Sequence, residues 1–354
     1  MPEVLSRFRR TRPWRRLTIL AAVVLCAAAW LGREELLSPT NGTRVQRAGN
    51  AGDATTAPST VGVGRDTPGD PTALPGRLEL QHSFSWGEGP AQLGLIVPPE
   101  GLPRGPSAFD VDGRGRLYVV DPIHDAIKVF DAGQLVGRIP LSGAPRDINA
   151  LEGGKVAVLR HDLTVSDLAG SRPTHIAVPF SPAILTGIVT SPDGLWVTSQ
   201  DGRLAQVADA LGQPLQTPRL EDGRCFTADG ETVLSTRIQG REVQVTARSL
   251  ADRGGKPRPW AVVGFPGAVY MVPMIAGLPD GGVAFVAGTF TGPSASPRSF
   301  LVLLAPDGLE RLRLPLPALG AVNLQMWPYR LGKDGHLRFL QLEQDGARLY
   351  QLVL

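Results

Sequence analysis

Cysteine is scarce in this chain of 354 residues, which has only Cys26 and Cys225. Cys26 lies in an apolar N-terminal stretch, so the two residues argue against a disulfide framework and do not indicate a redox compartment. Basic charge is concentrated at one end. Residues 1–36 carry four more basic than acidic residues, and the whole chain has a net charge of +3, which leaves the remainder close to −1. Such a balanced remainder argues against a nucleic-acid partner.

Several short catalytic motifs are absent as well. The chain has no Gly-x-Ser-x-Gly nucleophile elbow, no phosphate loop, no dinucleotide fingerprint and no Cys-x-x-Cys pair. Cys225, in "GRCFTADG", is predicted to be a buried residue of an inner strand rather than a nucleophile. Trp196, Trp260 and Trp327 could form a platform for a quinone or a sugar, but tryptophans on strands usually serve packing.

The N-terminus carries six arginines between Arg7 and Arg16, followed by an uncharged block, Leu17–Gly32. We predict that residues 1–16 are a basic cytoplasmic segment and that residues 17–32 are an apolar transmembrane helix. Sixteen residues span roughly 24 Å, which is short against about 30 Å of hydrocarbon, but Trp14 and Trp30 bracket the block as interfacial aromatics do. This reading predicts a single-pass protein of a bacterial inner membrane with its main domain on the periplasmic side.

A cleaved signal peptide is the alternative for the same segment. The small residues Ala27–Ala29 would allow cleavage before Trp30 and secretion of the rest. In either case residues 33–77 follow as a linker. The part from Ser38 to Arg77 has no aromatic residue and is rich in Thr, Pro, Gly, Ala and Asp. It cannot bury enough apolar area to offset its ordering entropy, so we predict a disordered tether.

A recurring phrase fills the rest of the chain, residues 78–354. A turn of Gly with Asp or Glu is followed each time by a short strand of β-branched and apolar residues. The turns lie at Asp112, Gly153, Asp193, Asp229, Asp280 and Asp334. Their spacings of 36 to 54 residues lie within or near the period of a four-stranded propeller blade, and helical periodicity is almost absent. We therefore predict an all-β, six-bladed β-propeller.

The chain also predicts how the ring closes. The last repeat shows "AVNLQMW", "HLRFLQL" and "ARLYQLVL" and then stops one strand short. The segment Leu78–Phe84, "LELQHSF", is the expected outer strand of that last blade. Such a pairing would cover two sheet edges at once.

The passage "GPSAFDVDGRGRLYVVDPIHDAIKVFD", Gly105–Asp131, resembles the NHL repeat. The matching positions are Pro106, Asp112, Gly115, Leu117, Tyr118, Val119, Asp121, Ile127, Val129 and Phe130. His124 stands where the repeat has Asn, and Ala126 stands where it has Arg. The resemblance covers one blade well and implies the propeller fold without implying an activity.

Six-bladed propellers of this kind include metal-dependent lactonases, which place a Glu before the first inner strand, and lyases with zinc-binding histidines. Here Arg104 stands at the expected ligand position, and Glu88 lies 33 residues before Asp121, too far upstream to replace it. Asparagine, a further ligand type of such sites, occurs in this region only at Asn149 and Asn323. We therefore predict no metal and no cofactor. An exported hydrolase or lyase with a diverged metal site remains the alternative.

The remaining candidates lie on a predicted face of charged loops. They are Asp121, His124, Asp125, Arg160, His161, Asp162, Arg237 and Arg241. His124 and His161 fall in equivalent loops of neighbouring blades, whereas His175 and His336 have no comparable placement to complete a zinc site. Rigid blades that present variable loops suit recognition of a partner. We predict a non-enzymatic, envelope-tethered propeller that binds a protein, peptide or glycan.

Overall fold

The computed structural model describes residues 76–98, 100, 103–143, 145–252, 255–290, 297–317 and 328–353. These residues form six four-stranded antiparallel sheets and two single-turn 3-10 helices, at Glu152–Gly154 and Pro182–Ile184. The prediction of an all-β, six-bladed propeller is confirmed. The predicted apolar helix of residues 17–32 and most of the predicted linker lie outside the described residues. Within the described ranges, no helix is long and apolar enough to cross a bilayer.

The strands follow one another blade by blade after a first strand, β1 (Arg77–Ser85). The first blade contains β2 (Phe109–Val111), β3 (Leu117–Asp121), β4 (Ala126–Asp131) and β5 (Gln134–Pro140). The second contains β6 (Asp147–Ala150), β7 (Lys155–Leu159), β8 (Leu163–Asp167) and β9 (Thr174–Ile176). The third contains β10 (Leu185–Ser191), β11 (Gly194–Ser199), β12 (Arg203–Ala208) and β13 (Pro214–Asp222).

The other three blades repeat this order. The fourth contains β14 (Cys225–Phe226), β15 (Thr232–Gln239), β16 (Glu242–Ser249) and β17 (Arg258–Gly264). The fifth contains β18 (Ala268–Gly277), β19 (Val283–Phe290), β20 (Arg298–Leu304) and β21 (Glu310–Leu316). The sixth contains β22 (Tyr329–Leu331), β23 (Leu337–Leu342), β24 (Gly346–Val353) and β1. The stretch 321–327, "AVNLQMW", lies outside the described residues, and the inner strand that the structure describes for this blade is β22.

The first strand of each blade lines a central channel. Each of β2, β6, β10, β14, β18 and β22 contacts the inner strands of both neighbouring blades. We call the side of the ring on which these strands begin the upper face. Because neighbouring strands run antiparallel, the loops between the second and third strands of every blade lie on the same face.

The six predicted turns each join an inner strand to the second strand of its blade. In four of these turns an aspartate side chain accepts hydrogen bonds from backbone N–H groups of the same turn. Asp112 Oδ1 accepts hydrogen bonds from the backbone N–H groups of Arg114 and Arg116 at 3.0 and 2.9 Å. Gly115 completes this turn at φ +81°, a left-handed conformation that glycine adopts without steric cost. Asp229, Asp280 and Asp334 cap their turns in the same way.

Alternation of side chains along the middle strands fills the spaces between blades. In β3, Leu117 and Val119 face the sixth blade, whereas Tyr118 and Val120 face the second. All four are buried. Among the described residues, one apolar cluster of this kind lies at each of the six interfaces. The hydrophobic core is therefore divided among the six blade interfaces. Other side chains line the central channel.

The sixth blade combines the first and last described strands. Strand β1 pairs antiparallel with β24, with Leu78 opposite Leu352 and Phe84 opposite Ala347. Phe84 is buried, and its ring centroid lies 4.8 Å from that of Phe130 in the first blade. The pairing covers the outer edge of β24 and joins the first described strand to the last.

Candidate binding site in the central channel

The upper part of the channel contains a pocket of about 180 Å³. Five blades contribute to its wall. The residues that matter below are Asp147, Thr186, Thr198, Gln200, Arg224, Val272 and Arg330. Asp147 begins β6, and Arg224 directly precedes β14, so these side chains project where the inner strands enter the channel.

Arg330 is the most thoroughly bonded cation of the pocket. Its Nε donates to the carbonyl oxygen of Phe109 at 2.9 Å, and its Nη2 donates to that of Ile148 at 3.3 Å. The guanidinium also forms an ion pair with Asp147. Burial lowers the pKa of Arg330, and the nearby Asp110 opposes that shift. Because its donors are used within the protein, Arg330 connects the sixth blade to the first two.

Two buried carboxylates form similar links between neighbouring inner strands. Asp110 Oδ2 accepts a hydrogen bond from the backbone N–H of Ala150 at 2.7 Å, and Asp147 Oδ2 accepts one from Ile188 at 2.7 Å. Burial raises the pKa of Asp110, with Arg330 acting against it. These aspartates therefore have structural partners, as buried charges require.

Arg224 differs from the other charged residues of the pocket. The residue is exposed, and among the described residues its side chain makes one long hydrogen bond, 3.4 Å from Nη1 to the carbonyl oxygen of Val272. Among the described residues no carboxylate pairs with it. Desolvation lowers the pKa of Arg224, but a guanidinium stays cationic at any physiological pH. The pocket therefore holds one positive charge that the described carboxylates do not balance.

Hydroxyl and amide groups lie on the third-blade wall of the same pocket. The hydroxyl oxygens of Thr186 and Thr198 are 2.8 Å apart and share a hydrogen bond. Gln200 is exposed at the end of β11, and its backbone N–H donates to the carbonyl oxygen of Ile184 at 2.7 Å. These polar groups line the same pocket as Arg224.

Two of the predicted site residues, Asp121 and His124, belong to one cluster in the first blade. Asp121 is buried, and its Oδ2 lies 2.6 Å from His124 Nδ1 and 3.0 Å from Lys128 Nζ. The same oxygen accepts a hydrogen bond from the backbone N–H of Gly94 at 3.1 Å. His124 Nε2 in turn lies 3.3 Å from Glu88 Oε2. The cluster joins the segment 86–96 to the first blade. The Asp121 carboxylate is therefore bonded to other groups of the protein.

Four further predicted residues, Asp125, Arg160, His161 and Asp162, lie in the first and second blades. Asp125 is exposed, and its carbonyl oxygen accepts a hydrogen bond from Leu141 at 2.9 Å. In the second blade, Arg160 bonds the Ser142 carbonyl and hydroxyl oxygens at 2.8 Å each and lies 3.3 Å from Asp162. His161, next to them, is exposed.

Arg237 and Arg241 lie in the fourth blade, at the tip of the hairpin that joins β15 to β16. Both are exposed, and no side-chain partner is found for either among the described residues. The eight predicted residues therefore lie on the first, second and fourth blades. Their role in binding a partner stays a prediction.

The residues considered for metal chemistry are not gathered either. Within the described part of the chain, no group of three or more His, Cys, Asp or Glu side chains is placed to hold a metal ion. Arg104, which stands where a lactonase-type ligand would be expected, is exposed and pairs through its backbone with Ile96. Asn149 is buried on β6, whereas Asn323 lies outside the described residues.

The structure also shows the surroundings of Cys225, Trp196 and Trp260. Cys225 is buried on β14, and burial raises the pKa of its thiol, so the reactive thiolate is disfavoured. Trp196 is fully buried, donates a 3.0 Å hydrogen bond to the Ser191 hydroxyl and packs on Phe226. Trp260 is partly buried, and Trp327 lies outside the described residues.

Sequence reasoning missed Arg224, although a signal was present. Arg146 and Arg224 each stand directly before an inner strand, the position from which a side chain enters the upper channel. Arg146 Nη1 donates to the Leu185 carbonyl oxygen at 2.7 Å, which joins the second blade to the third. Arg224 makes the equivalent bond to Val272 of the next inner strand, but at 3.4 Å. The sequence shows both arginines in the same place but does not show this difference in their bonding.

No family model matches this chain, and no curated protein matches it in sequence. Solved structures do resemble it. A virginiamycin B lyase from Staphylococcus aureus shares 11% identity over 79% of this chain and 99% of its own, with a TM-score of 0.45. Regucalcin from Agrobacterium tumefaciens, described as a calcium-binding protein, shares 13% identity over 70% and 90%, with a TM-score of 0.46. A luciferin-regenerating enzyme shares 13% identity over 70% and 91%, also with a TM-score of 0.46. Similarity at this level carries no activity over to the present chain.

Proposed function

We propose that this chain is a non-enzymatic, NHL-like propeller that binds an anionic group in its central channel. The observation that carries the proposal is the exposed guanidinium of Arg224, which lines the pocket without a carboxylate partner among the described residues. Thr198 and Gln200 add hydrogen-bonding groups on another wall. A charge-assisted hydrogen bond in such a partly desolvated place is roughly twice as strong as a neutral one. The anion belongs to a small molecule or to a protein, peptide or glycan partner.

The pocket favours binding over catalysis because its carboxylate, that of Asp147, is already bonded within the protein. General acid–base chemistry needs a titratable side chain within hydrogen-bond reach of the substrate. Asp147 pairs with Arg330 and accepts the N–H of Ile188, and it is almost completely buried. The hydrolase or lyase alternative would need a titratable group other than Asp147.

The N-terminal segment completes the proposal. Residues 17–32 anchor the chain in a membrane, or are removed as a signal, and residues 33–77 tether the propeller outside the cytoplasm. A tethered binding domain of this kind meets its ligand in the periplasmic or extracytoplasmic space. The basic–apolar order of residues 1–32 supports this placement.

The test is calorimetric titration of the purified full chain in detergent micelles with citrate and with inorganic phosphate. Saturable binding is expected, and Arg224→Gln should weaken it by about tenfold or more, because the variant removes a charged hydrogen-bond donor. Arg172→Gln is the matched control, since Arg172 is an exposed arginine in the loop between β8 and β9, on the opposite face of the ring, and lies outside the pocket wall. Equal affinities for Arg224→Gln and the unaltered chain would contradict the proposal.

An activity assay covers the alternative. We expect the full chain to leave simple lactones and esters unhydrolysed, with and without added calcium or zinc. Saturable turnover of either substrate class by the unaltered chain would refute the non-enzymatic reading.

A further inference from the structure

An apolar ledge lies at the mouth of the channel, on blades four and five. Tyr270, Met271, Phe290 and Ile238 are large apolar residues with exposures of 39, 40, 38 and 38%. Most other large apolar side chains of these two blades are buried at the interfaces. Large apolar side chains that remain exposed next to one another mark a surface that binds something.

Hydrogen bonds and ring contacts join these residues into one surface. The ring centroids of Tyr270 and Phe290 lie 4.5 Å apart. The backbone N–H of Val269 donates to the carbonyl oxygen of Gly240 at 2.9 Å, which fixes the hairpin carrying Ile238 beside the start of β18. We call these four residues, Ile238, Tyr270, Met271 and Phe290, the ledge.

Gly288 makes room for the aromatic part of the ledge. A Cβ atom at this position would lie 2.8 Å from Cζ of Tyr270 and 2.9 Å from Cγ of Met271, closer than real contacts allow. Gly288 lies opposite Met271 in the pairing of β18 with β19. The side chains of Tyr270 and Met271 therefore pack against the backbone of Gly288 on one side and are exposed on the other.

The ledge is continuous with the pocket along a single strand. Tyr270 and Met271 stand directly before Val272, and Val272–Ile275 form the fifth-blade wall of the pocket. Arg224 Nη1 bonds the carbonyl oxygen of Val272 at 3.4 Å. Two residues of extended strand span roughly 7 Å, so the cation and the ledge lie within reach of one small molecule.

We infer that the ligand is an amphiphilic carboxylate, with its anionic end at Arg224 and its apolar chain on the ledge. This inference rests on the proposed anion site. A carboxylate suits a guanidinium because two oxygens can accept two parallel N–H groups. An apolar chain suits the ledge because water then leaves both surfaces, and each buried methylene strengthens binding by about fourfold. A fatty-acid-like molecule and the apolar C-terminus of a peptide share this chemistry.

Charge on the ledge supports an anionic ligand as well. Arg237 and Arg241 flank Ile238 on its hairpin, and Arg298 begins the strand that pairs with the end of β19. All three are exposed, and Glu242 is the acidic residue beside them. The surroundings of the ledge are therefore net positive, which attracts anions and disfavours apolar cations.

The experiment is a titration of the full chain in detergent micelles with acetate, hexanoate and decanoate, all at one pH and ionic strength. Decanoate is kept below its critical micelle concentration, and its partitioning into protein-free micelles is measured separately and subtracted. The three probes have the same charge and differ in apolar length. Decanoate is expected to bind at least tenfold more tightly than acetate. N-acetyl-leucyl-leucine forms a second arm, and tighter binding of this peptide than of decanoate would identify a peptide terminus as the source of the carboxylate.

Variants separate the two parts of the site. Tyr270→Ser and Met271→Gln should each reduce the preference for decanoate over acetate by about threefold or more and leave citrate binding unchanged. Leu211→Gln is the control, because Leu211 is an apolar residue with 57% exposure in the loop between β12 and β13, on the opposite face. It should change neither affinity.

The outcomes of the two proposals can be told apart. Equal affinities for acetate and decanoate, or ledge variants that behave like Leu211→Gln, would overturn the amphiphile while citrate binding through Arg224 stood. Loss of the effect of Arg224→Gln on citrate would overturn the anion site itself. Decanoate binding that survives Arg224→Gln unchanged would show an apolar site without the inferred carboxylate contact and would also refute the inference.

Discussion

Buried charges in this propeller hold neighbouring segments together, residue by residue. Arg330, Asp110 and Asp147 each bond the backbone of an adjacent inner strand. Asp121 and Lys128 do the same for the segment that precedes the first blade, because Lys128 Nζ also bonds the carbonyl oxygen of Gln92. Arg224 differs from them because its hydrogen bond to the neighbouring inner strand is long, 3.4 Å to the carbonyl oxygen of Val272, and no carboxylate among the described residues pairs with it. This contrast supports a binding role for Arg224.

The pair of Asp121 and Lys128 gives a direct test of this structural role. Both side chains are almost fully buried, so Lys128→Ala would leave the Asp121 carboxylate without the lysine ammonium that pairs with it. We expect the free energy of unfolding to fall by about 3–5 kcal/mol, as measured by urea denaturation.

A double variant controls for charge and volume. Asp121→Asn with Lys128→Met removes both charges and keeps similar volumes, so it should cost clearly less than Lys128→Ala alone. If the single variant were as stable as the unaltered chain, the ion pair would have no structural role.

At the scale of the strands, the sequence predicts most of the fold because its signals are local. The turns at Asp112 and Asp334 bond their own backbone within a few residues, and this requires no knowledge of the rest of the chain. The alternation in β3 likewise follows from neighbouring residues. The pocket combines Thr186 of the third blade with Arg330 of the sixth, and no local pattern records that proximity.

The lack of a local pattern for contacts between distant residues also explains why the sequence could not show how the predicted site residues are bonded. Loop position placed Asp121 on a face of charged loops, but only the fold shows the carboxylate buried beneath Gly94 and bonded to Lys128. Glu88 is separated from His124 by 36 residues and still reaches its imidazole. Bonds within the protein decide which charged residues remain free for a ligand, and these bonds form between distant parts of the chain.

Strand β1 supports a prediction of its own. It is the outer strand of the sixth sheet, and its removal would leave β24 with an unpaired edge and Phe130 without Phe84. We expect a chain lacking residues 77–85 to melt at a lower temperature and to aggregate on size-exclusion chromatography, because an open edge pairs with other chains.

A deletion of similar kind in the preceding segment serves as the control. Removal of residues 45–53, within the predicted linker, should leave both the melting temperature and the elution volume unchanged. A monomeric β1-deletion chain with the melting temperature of the full protein would show that the ring does not depend on this closure.

For the whole molecule, the closed ring is what creates the pocket. Five blades supply its wall, and the links made by Arg330 and Asp147 span three of the inner-strand interfaces. Loss of a single blade contact would therefore alter both stability and ligand affinity. The ledge adds to this design a surface that extends the pocket outward along β18.

The position of the molecule in the cell gives the last prediction. If residues 17–32 are an uncleaved anchor, the full chain expressed in a Gram-negative bacterium should fractionate with the inner membrane and be digested by protease only after the outer membrane is opened. Ala27→Leu with Ala29→Leu removes the small residues that signal peptidase requires and lengthens no part of the block. An anchored chain should therefore keep its full length, with the same mobility on a denaturing gel, with and without these substitutions. A shorter chain that begins at Trp30, restored to full length by the double substitution, would establish cleavage and release instead, because only a processed signal depends on those two alanines.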